Sequence, residues 1–218
     1  MALILVGLIA AYLIGSIPNG LLIVWLFSGK DVRKIESGRT GGTNAMRAAG
    51  FAAGLLTTLL DVLKGAGAVW LARWLSPGNF WLEAAAAVLA VIGHNYSIYL
   101  LERNEDGRLR LRGGAGGTCA LGGAIGLWPL SLVIMTPIAI AAFVLVGYAS
   151  VATISIGLGA TVVFLVRALM GVGPWAHVAY GAASLALILW ALRPNLKRIA
   201  NGTERPVGLR AARMKKQQ

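Results

Sequence analysis

Residues 2 to 28 contain no charged side chain. At 1.5 Å of rise per residue a helix of that length reaches about 40 Å, whereas the hydrocarbon core of a bilayer is about 30 Å thick. The run reads as a membrane span. A cleaved signal peptide is the competing reading, but no basic segment precedes the run and no small-x-small cleavage site follows it. Further apolar runs cover residues 51 to 75, 80 to 101 and 175 to 192, and the turn cluster Ser76-Pro77-Gly78-Asn79 separates the first two of these. Composition agrees with this reading. Only 13% of the 218 residues are charged and 57% are hydrophobic, too little charge to cover the outside of a soluble domain of this size.

Between residues 117 and 173 lies an apolar stretch whose only charge is Arg167, and charge asymmetry decides how often it crosses. Lys and Arg outnumber Asp and Glu 20 to 8, giving a net charge of +12. A nucleic-acid partner would call for basic residues striped along one face and interleaved with aromatics. Here they gather in short segments between apolar runs, the positive-inside pattern, and no nucleic acid is expected. The segment carrying Arg103, Arg108, Arg110 and Arg112 belongs inside, as does the tail carrying Arg193, Lys197, Arg198, Arg205, Arg210, Arg213, Lys215 and Lys216. The stretch must then cross an odd number of times. One crossing leaves too much chain, while three use about 19 residues each, with breaks expected at Trp128-Pro129, Gly147 to Ser150 and Gly171 to Pro174.

The expected fold is all-α: a polytopic protein of the cell membrane with about seven transmembrane helices, N-terminus outside and C-terminus cytoplasmic. This arrangement places 17 of the 20 basic residues inside. Residues 1–200 form one transmembrane domain with its polar loops on the cytoplasmic face. Residues 201–218 form a basic cytoplasmic tail that frays or lies on the anionic leaflet. No internal repeat is evident.

All the polar, glycine-rich sequence falls on that one face, so any active site belongs there. In the first inner loop, Glu36 to Arg47, Gly38, Gly41 and Gly42 let backbone amides approach an anion closely. Ser37, Thr40, Thr43 and Asn44 add polar groups, and Arg39 and Arg47 add charge. These are the parts of a phosphate cradle, although a mobile loop with orienting arginines has the same composition. A Walker A sequence is absent. The second inner loop ends in Arg112-Gly113-Gly114-Ala115-Gly116-Gly117-Thr118 at the expected start of a helix, where unpaired N–H groups favour anions. Small residues for close helix packing are the other reading of this run. The segment Asn195 to Glu204 would, alone, be an ordinary solvated tail.

The single Cys119 and two histidines supply neither a disulfide nor a metal cluster, and no cofactor or metal is expected. Of the ionisable groups within spans, Asp61 and Lys64 are three apart and can neutralise each other on one helix face. Glu83 lies near an outer edge and is expected to reach the headgroups. His94 falls near the second loop.

Together these segments resemble the bacterial acyl-phosphate:glycerol-3-phosphate acyltransferase family of integral membrane enzymes, over nearly the whole chain. Gly15-Ser16-Ile17-Pro18-Asn19 looks like the family's first-helix signature, and the spacing of Ser37, Gly38, Gly41, Thr43, Asn44 and Arg47 resembles its first cytoplasmic motif. Leu60 to Gly65 is similar to its second-helix sequence and Gly93-His94 to the opening of its second motif. Asn195 and Gly202-Thr203-Glu204 resemble its third.

The resemblance implies seven helices and transfer of a fatty acyl group from acyl phosphate to the 1-hydroxyl of glycerol 3-phosphate, giving lysophosphatidic acid and phosphate. Carried over by position, Ser37, Arg47, Arg39 and His94 are the expected catalytic residues. Gly38, Gly41, Gly42, Thr43, Asn44, Arg112, Gly113, Gly114, Gly116, Ser150, Asn195 and Glu204 are expected to bind substrate, with Thr43 and Asn44 shaping the loop. The partners implied are the two substrates and the bilayer, and the oligomeric state is open.

Several positions depart from the family. The second motif usually reads Lys-Gly-Gly-Lys-Gly, where this chain has Arg112-Gly113-Gly114-Ala115-Gly116. Arg39 stands where asparagine is usual, Ser97 where proline is, and Leu192 where histidine is common; residues 102 to 110 look like a polar insertion. Arg39 or Arg112 is expected to restore the charge lost at Ala115. Two other readings stay open: a divergent member with another acceptor or without catalysis that still binds phosphate or anionic lipid, and a small membrane transporter, to which Pro18, Asp61 and Lys64 point.

Overall fold

A computed structural model describes residues 2–103 and 106–215. Lys216 of the basic tail and Asn104 and Glu105 of the polar insertion lie outside the described residues. The first apolar run folds as two helices, α1 (Ala2–Ser16) and α2 (Asn19–Ser28), separated at Ile17-Pro18. Pro18 has no N–H and disfavours helical backbone at Ile17. The break is satisfied from outside, because Lys64 Nζ donates to the Ile17 carbonyl at 2.8 Å. After α2 the chain passes through a short 3-10 turn, Val32–Lys34, into α3 (Gly42–Ala49) and then α4 (Phe51–Leu75).

The third run ends earlier than its hydropathy suggested. Helix α5 (Phe80–Asn95) stops short of residue 101, and Ser97–Arg103 is a strand, β1, paired antiparallel with β2 (Leu109–Arg112). Of the supposed insertion, Glu102 and Arg103 thus pair with Arg110 and Leu109 across the two strands. Beyond it come α6 (Gly117–Leu127), α7 (Ser131–Ala141, extended by a π turn to Val146), α8 (Ala149–Leu169), α9 (Trp175–Ala200) and α10 (Gly208–Lys215). The breaks at Trp128-Pro129, Gly147 and Gly171 to Pro174 fall where expected, but the equal division does not: α6 has 11 residues and spans about 16 Å. Helix α9 continues past residue 192 through Pro194 to Ala200. Four segments are long and apolar enough to cross a membrane, Ala2–Ser28, α4, α8 and α9, and α5, α6 and 131–146 are shorter apolar helices.

The helices pack through small side chains. A Cβ on Gly65 would run into the carbonyl of Cys119, and one on Gly122 into that of Val62, so α4 and α6 touch backbone to backbone. The interior is rich in alanine around Tyr180, Phe164, Met135 and Ile188, while Trp74, Leu26, Leu145 and Leu169 point outward. That is the inverse of a soluble surface and suits lipid. The tail does not fray over its first residues: Val207 N donates to the Gly147 carbonyl at 2.8 Å and Arg210 lies over the Tyr148 ring at 4.5 Å.

Buried charges are paired. Asp61 and Lys64 meet at 2.9 Å, as their spacing suggested. Glu83, expected to reach headgroups, is instead 1% exposed and held by Arg73 through Nε at 3.1 Å and Nη2 at 2.6 Å. Arg73 Nη2 also donates to the Gly126 carbonyl at 2.9 Å, covering a backbone group that the short helix α6 leaves free near its C-terminus.

Candidate active site

Asn44, in the first turn of α3, shapes the first inner loop. Its Nδ2 donates to the carbonyls of Val32 (3.0 Å), Ile35 (2.9 Å) and Arg39 (2.9 Å). The amide nitrogen is therefore used within the loop, which folds the residues between the 3-10 turn and α3 back over the start of α3. Thr40 N then donates to the Gly113 carbonyl at 3.3 Å and joins the first loop to the second.

In the second loop, Gly114 N donates to the His94 carbonyl at 2.8 Å. No side chain fits at Gly113 or Gly114: a Cβ on Gly113 would strike the His94 carbonyl, and one on Gly114 its imidazole. Gly116 has φ +93, a left-handed conformation that glycine adopts freely, and turns the chain into α6, whose first residues, Gly117 and Thr118, line a pocket with it.

The third segment closes the site. Glu204 accepts hydrogen bonds from Asn195 Nδ2 (2.8 Å), Arg198 Nε (2.8 Å) and Ser150 Oγ (3.4 Å), tying the tail to α8 and α9. Arg39 links all three segments. Its Nη1 donates to the Gly114 carbonyl at 3.4 Å, and its Nη2 to Asn195 Oδ1 at 3.3 Å and to the Ala191 carbonyl. Burial pushes the Arg39 guanidinium below its ordinary pKa, and Arg198 acts the same way while Glu204 opposes both. Arg47 is lowered by burial too, again opposed by Glu204. A guanidinium is still charged at neutral pH, so both are partly desolvated cations that an anion would stabilise.

Every expected site residue lines this region. A cleft of about 990 Å³ is bounded by Ser37, Gly38, Arg39, Arg47, Arg112, Gly113, Gly114, Asn195 and Glu204. A pocket of about 130 Å³ opens beside it and shares several of these residues, adding Gly41, Gly42, Thr43, Asn44, His94, Gly116 and Ser150. Arg112 is less available than its position suggested, because Glu102 engages it at 2.9 Å and also takes Arg33 at 2.8 Å. Arg110, Arg193, Arg198 and Arg205 line the cleft as well and were not singled out. Arg198 had a signal: three residues after Asn195 on one helix, it must share that face.

A family model described as glycerol-3-phosphate acyltransferase matches residues 5–202. The chain belongs to this family. A glycerol-3-phosphate acyltransferase of Thermus thermophilus is 38% identical to this family member over 204 residues, 94% of the chain and 95% of the relative. One of Rubrobacter xylanophilus is 37% identical over 92% of the chain and 93% of the relative. Among solved structures, a crystal structure of PlsY, described as an integral membrane glycerol 3-phosphate acyltransferase in its glycerol 3-phosphate form, superposes with TM-score 0.80. It is 30% identical and aligns over 94% of this chain and 96% of that one. The lysophosphatidic acid form of PlsY gives 0.78 at 28% identity. With its own apolar helices and integral membrane relatives, this acyltransferase family member is a multi-pass membrane protein.

Proposed function

We propose that the cleft transfers a fatty acyl group from acyl phosphate to the 1-hydroxyl of glycerol 3-phosphate, giving lysophosphatidic acid and phosphate for phospholipid synthesis. The observation that carries this reading is the convergence of three separate segments on one cation-lined cleft, with Arg39 bonded to two of them. Acyl phosphate is already activated. The glycerol hydroxyl attacks the acyl carbon, the bond from that carbon to the bridging oxygen breaks, and phosphate leaves and can take the hydroxyl proton. The protein then has to align two anions and offset the charge that develops. Ser37, Arg47, the glycine amides and the α6 N-terminus are suited to hold glycerol 3-phosphate; Ser150, Asn195 and Glu204 form the polar wall behind it.

The same reading sets the topology. The three shorter helices also cross, giving seven crossings, with the N-terminus outside and the cleft and C-terminus on the cytoplasmic face of the cell membrane. The segments carrying Lys30 to Arg39, Arg103 to Arg112 and Arg193 to Arg205 then gather inside. Helix α6 can be short because nine of its residues are buried against protein rather than lipid. Residues 1–200 form the membrane domain and 201–218 a tail whose Glu204 folds back into the site.

Labelled lysophosphatidic acid formed by the purified, lipid-reconstituted protein from palmitoyl phosphate and glycerol 3-phosphate tests the reaction. A folded sample that makes none overturns it and favours a binding role or another acceptor.

Arg39 is the better candidate for the charge missing at Ala115, since it reaches the Gly114 carbonyl while Arg112 is turned to Glu102. A charge-assisted contact of about 1.5 to 3 kcal/mol corresponds to about ten- to a hundredfold in rate or affinity. Arg39→Ala is expected to lower kcat/KM for glycerol 3-phosphate within that range. Unchanged kinetics would exclude the compensation.

A further inference from the structure

Beneath the second loop lies a layer of buried polar groups that the reaction does not consume. Asp61 of α4 is 1% exposed, and its Oδ1 accepts from Asn19 Nδ2 at the start of α2 (3.1 Å) and pairs with Lys64 (2.9 Å). The same oxygen lies 3.6 Å from His94 Nδ1 of α5, which is itself 3% exposed. That distance is longer than a hydrogen bond but within reach of a charge or a small adjustment. The other edge of the imidazole lies against Gly114, where a Cβ would collide with Nε2, and the His94 carbonyl takes the Gly114 amide at 2.8 Å. His94 is thus a platform touching the loop by backbone and ring, and Asp61 stands behind it.

The layer is not saturated. Among the described residues, Asp61 Oδ2, His94 Nδ1 and both amide atoms of the neighbouring Asn95 are buried without a hydrogen-bond partner, and the Asn95 amide faces Gly116. Unpaired polar atoms in a membrane interior are costly, and persist where the surroundings fix them or a second state completes them. Neutralising Lys64 would need only the carboxylate beside it. Placing that carboxylate also against His94 and Asn19 ties the Pro18 break, α4, α5 and the glycine loop to one group.

We propose that Asp61 is a positioning residue for glycerol 3-phosphate: through His94 it sets the height and tilt of the Gly113–Gly116 loop on which a substrate phosphate rests. The inference rests on the function proposed above, and it predicts a binding defect separable from a stability defect.

The test compares three proteins in the same lipid. Asp61→Glu keeps a carboxylate opposite Lys64 but moves it by one methylene, and the pair Asp61→Asn with Lys64→Met removes both charges and leaves none uncompensated. Both variants are expected to raise KM for glycerol 3-phosphate by about tenfold or more, with KM for acyl phosphate changed far less, even where thermal stability stays near that of the parent. A structural role alone predicts the opposite for the charge-neutral pair, namely restored stability together with parental kinetics, and that result overturns the proposal. The Kd of inorganic phosphate is measured on the same samples. It needs no turnover, so an inactive parent would count against the reaction, while a parental phosphate Kd in both variants would count against Asp61. Asp61→Glu keeps the comparison decisive if the pair does not accumulate.

Discussion

Arg47→Ala is expected to lower kcat/KM by about a hundredfold while the protein remains folded. Arg47 lies in the last turn of α3 and lines both the cleft and the pocket beside it. Its guanidinium is half-buried and lowered in pKa by burial. Glu204, the carboxylate that opposes this shift, is already engaged by Arg198 at 2.8 Å. Among the described residues this partly desolvated cation has no side-chain hydrogen bond or ion pair of its own; in the proposed role it meets a phosphate, and its loss removes about 3 kcal/mol, the upper end of a charged hydrogen bond. That corresponds to about a hundredfold. Steady-state kinetics with both substrates varied checks it, and a change of less than about threefold would remove Arg47 from the binding site.

The largest expected effect on stability lies at the other end of the bundle. Arg73→Ala leaves Glu83 charged, 1% exposed and unpaired, and leaves the Gly126 carbonyl without its donor. Removing one partner of a buried pair costs about 3 to 5 kcal/mol. Because the Arg73 side chain is 42% exposed and the pair is only partly buried, the lower end applies, about 3 kcal/mol. For a chain of this size that lowers Tm by about 6 to 12 °C. Arg73 lies about 22 Å along α4 from Thr58, which lines the pocket beside the cleft, so turnover per folded molecule at low temperature should be unchanged. Glu83→Gln combined with Arg73→Ala should recover much of the Tm, since no charge is then stranded. A thermal melt of the single and double variants decides the matter.

The two cases show which parts of this molecule could be read from sequence. Charge-free runs and basic loops reveal where helices lie, because hydrophobic length and charge asymmetry are local properties of the chain. The glycine and asparagine positions of the first loop were legible for the same reason: Asn44 acts on residues within twelve of itself. The residues paired across distance were not. Glu83 looked like an interfacial acid because its partner, Arg73, lies on another helix, and the run from 80 to 101 hid a strand because Ile98, Tyr99 and Leu100 suit a strand as well as a span. Arg198 looked like tail until Glu204 folded back onto it. Asp61 and Lys64 also hinted at a transport path; they close on each other, behind the His94 ring that lies against Gly114.

Acyl transfer and phosphoryl transfer break different bonds of the donor, and an isotope distinguishes them. Palmitoyl phosphate carrying ¹⁸O in the bridging position is turned over with glycerol 3-phosphate by the reconstituted protein, and both products are analysed by mass. Attack at the acyl carbon sends the label into inorganic phosphate and leaves lysophosphatidic acid unlabelled, which is the predicted result. Label retained in palmitate, with phosphate passed to the glycerol compound or to water, would mean attack at phosphorus and would contradict the account.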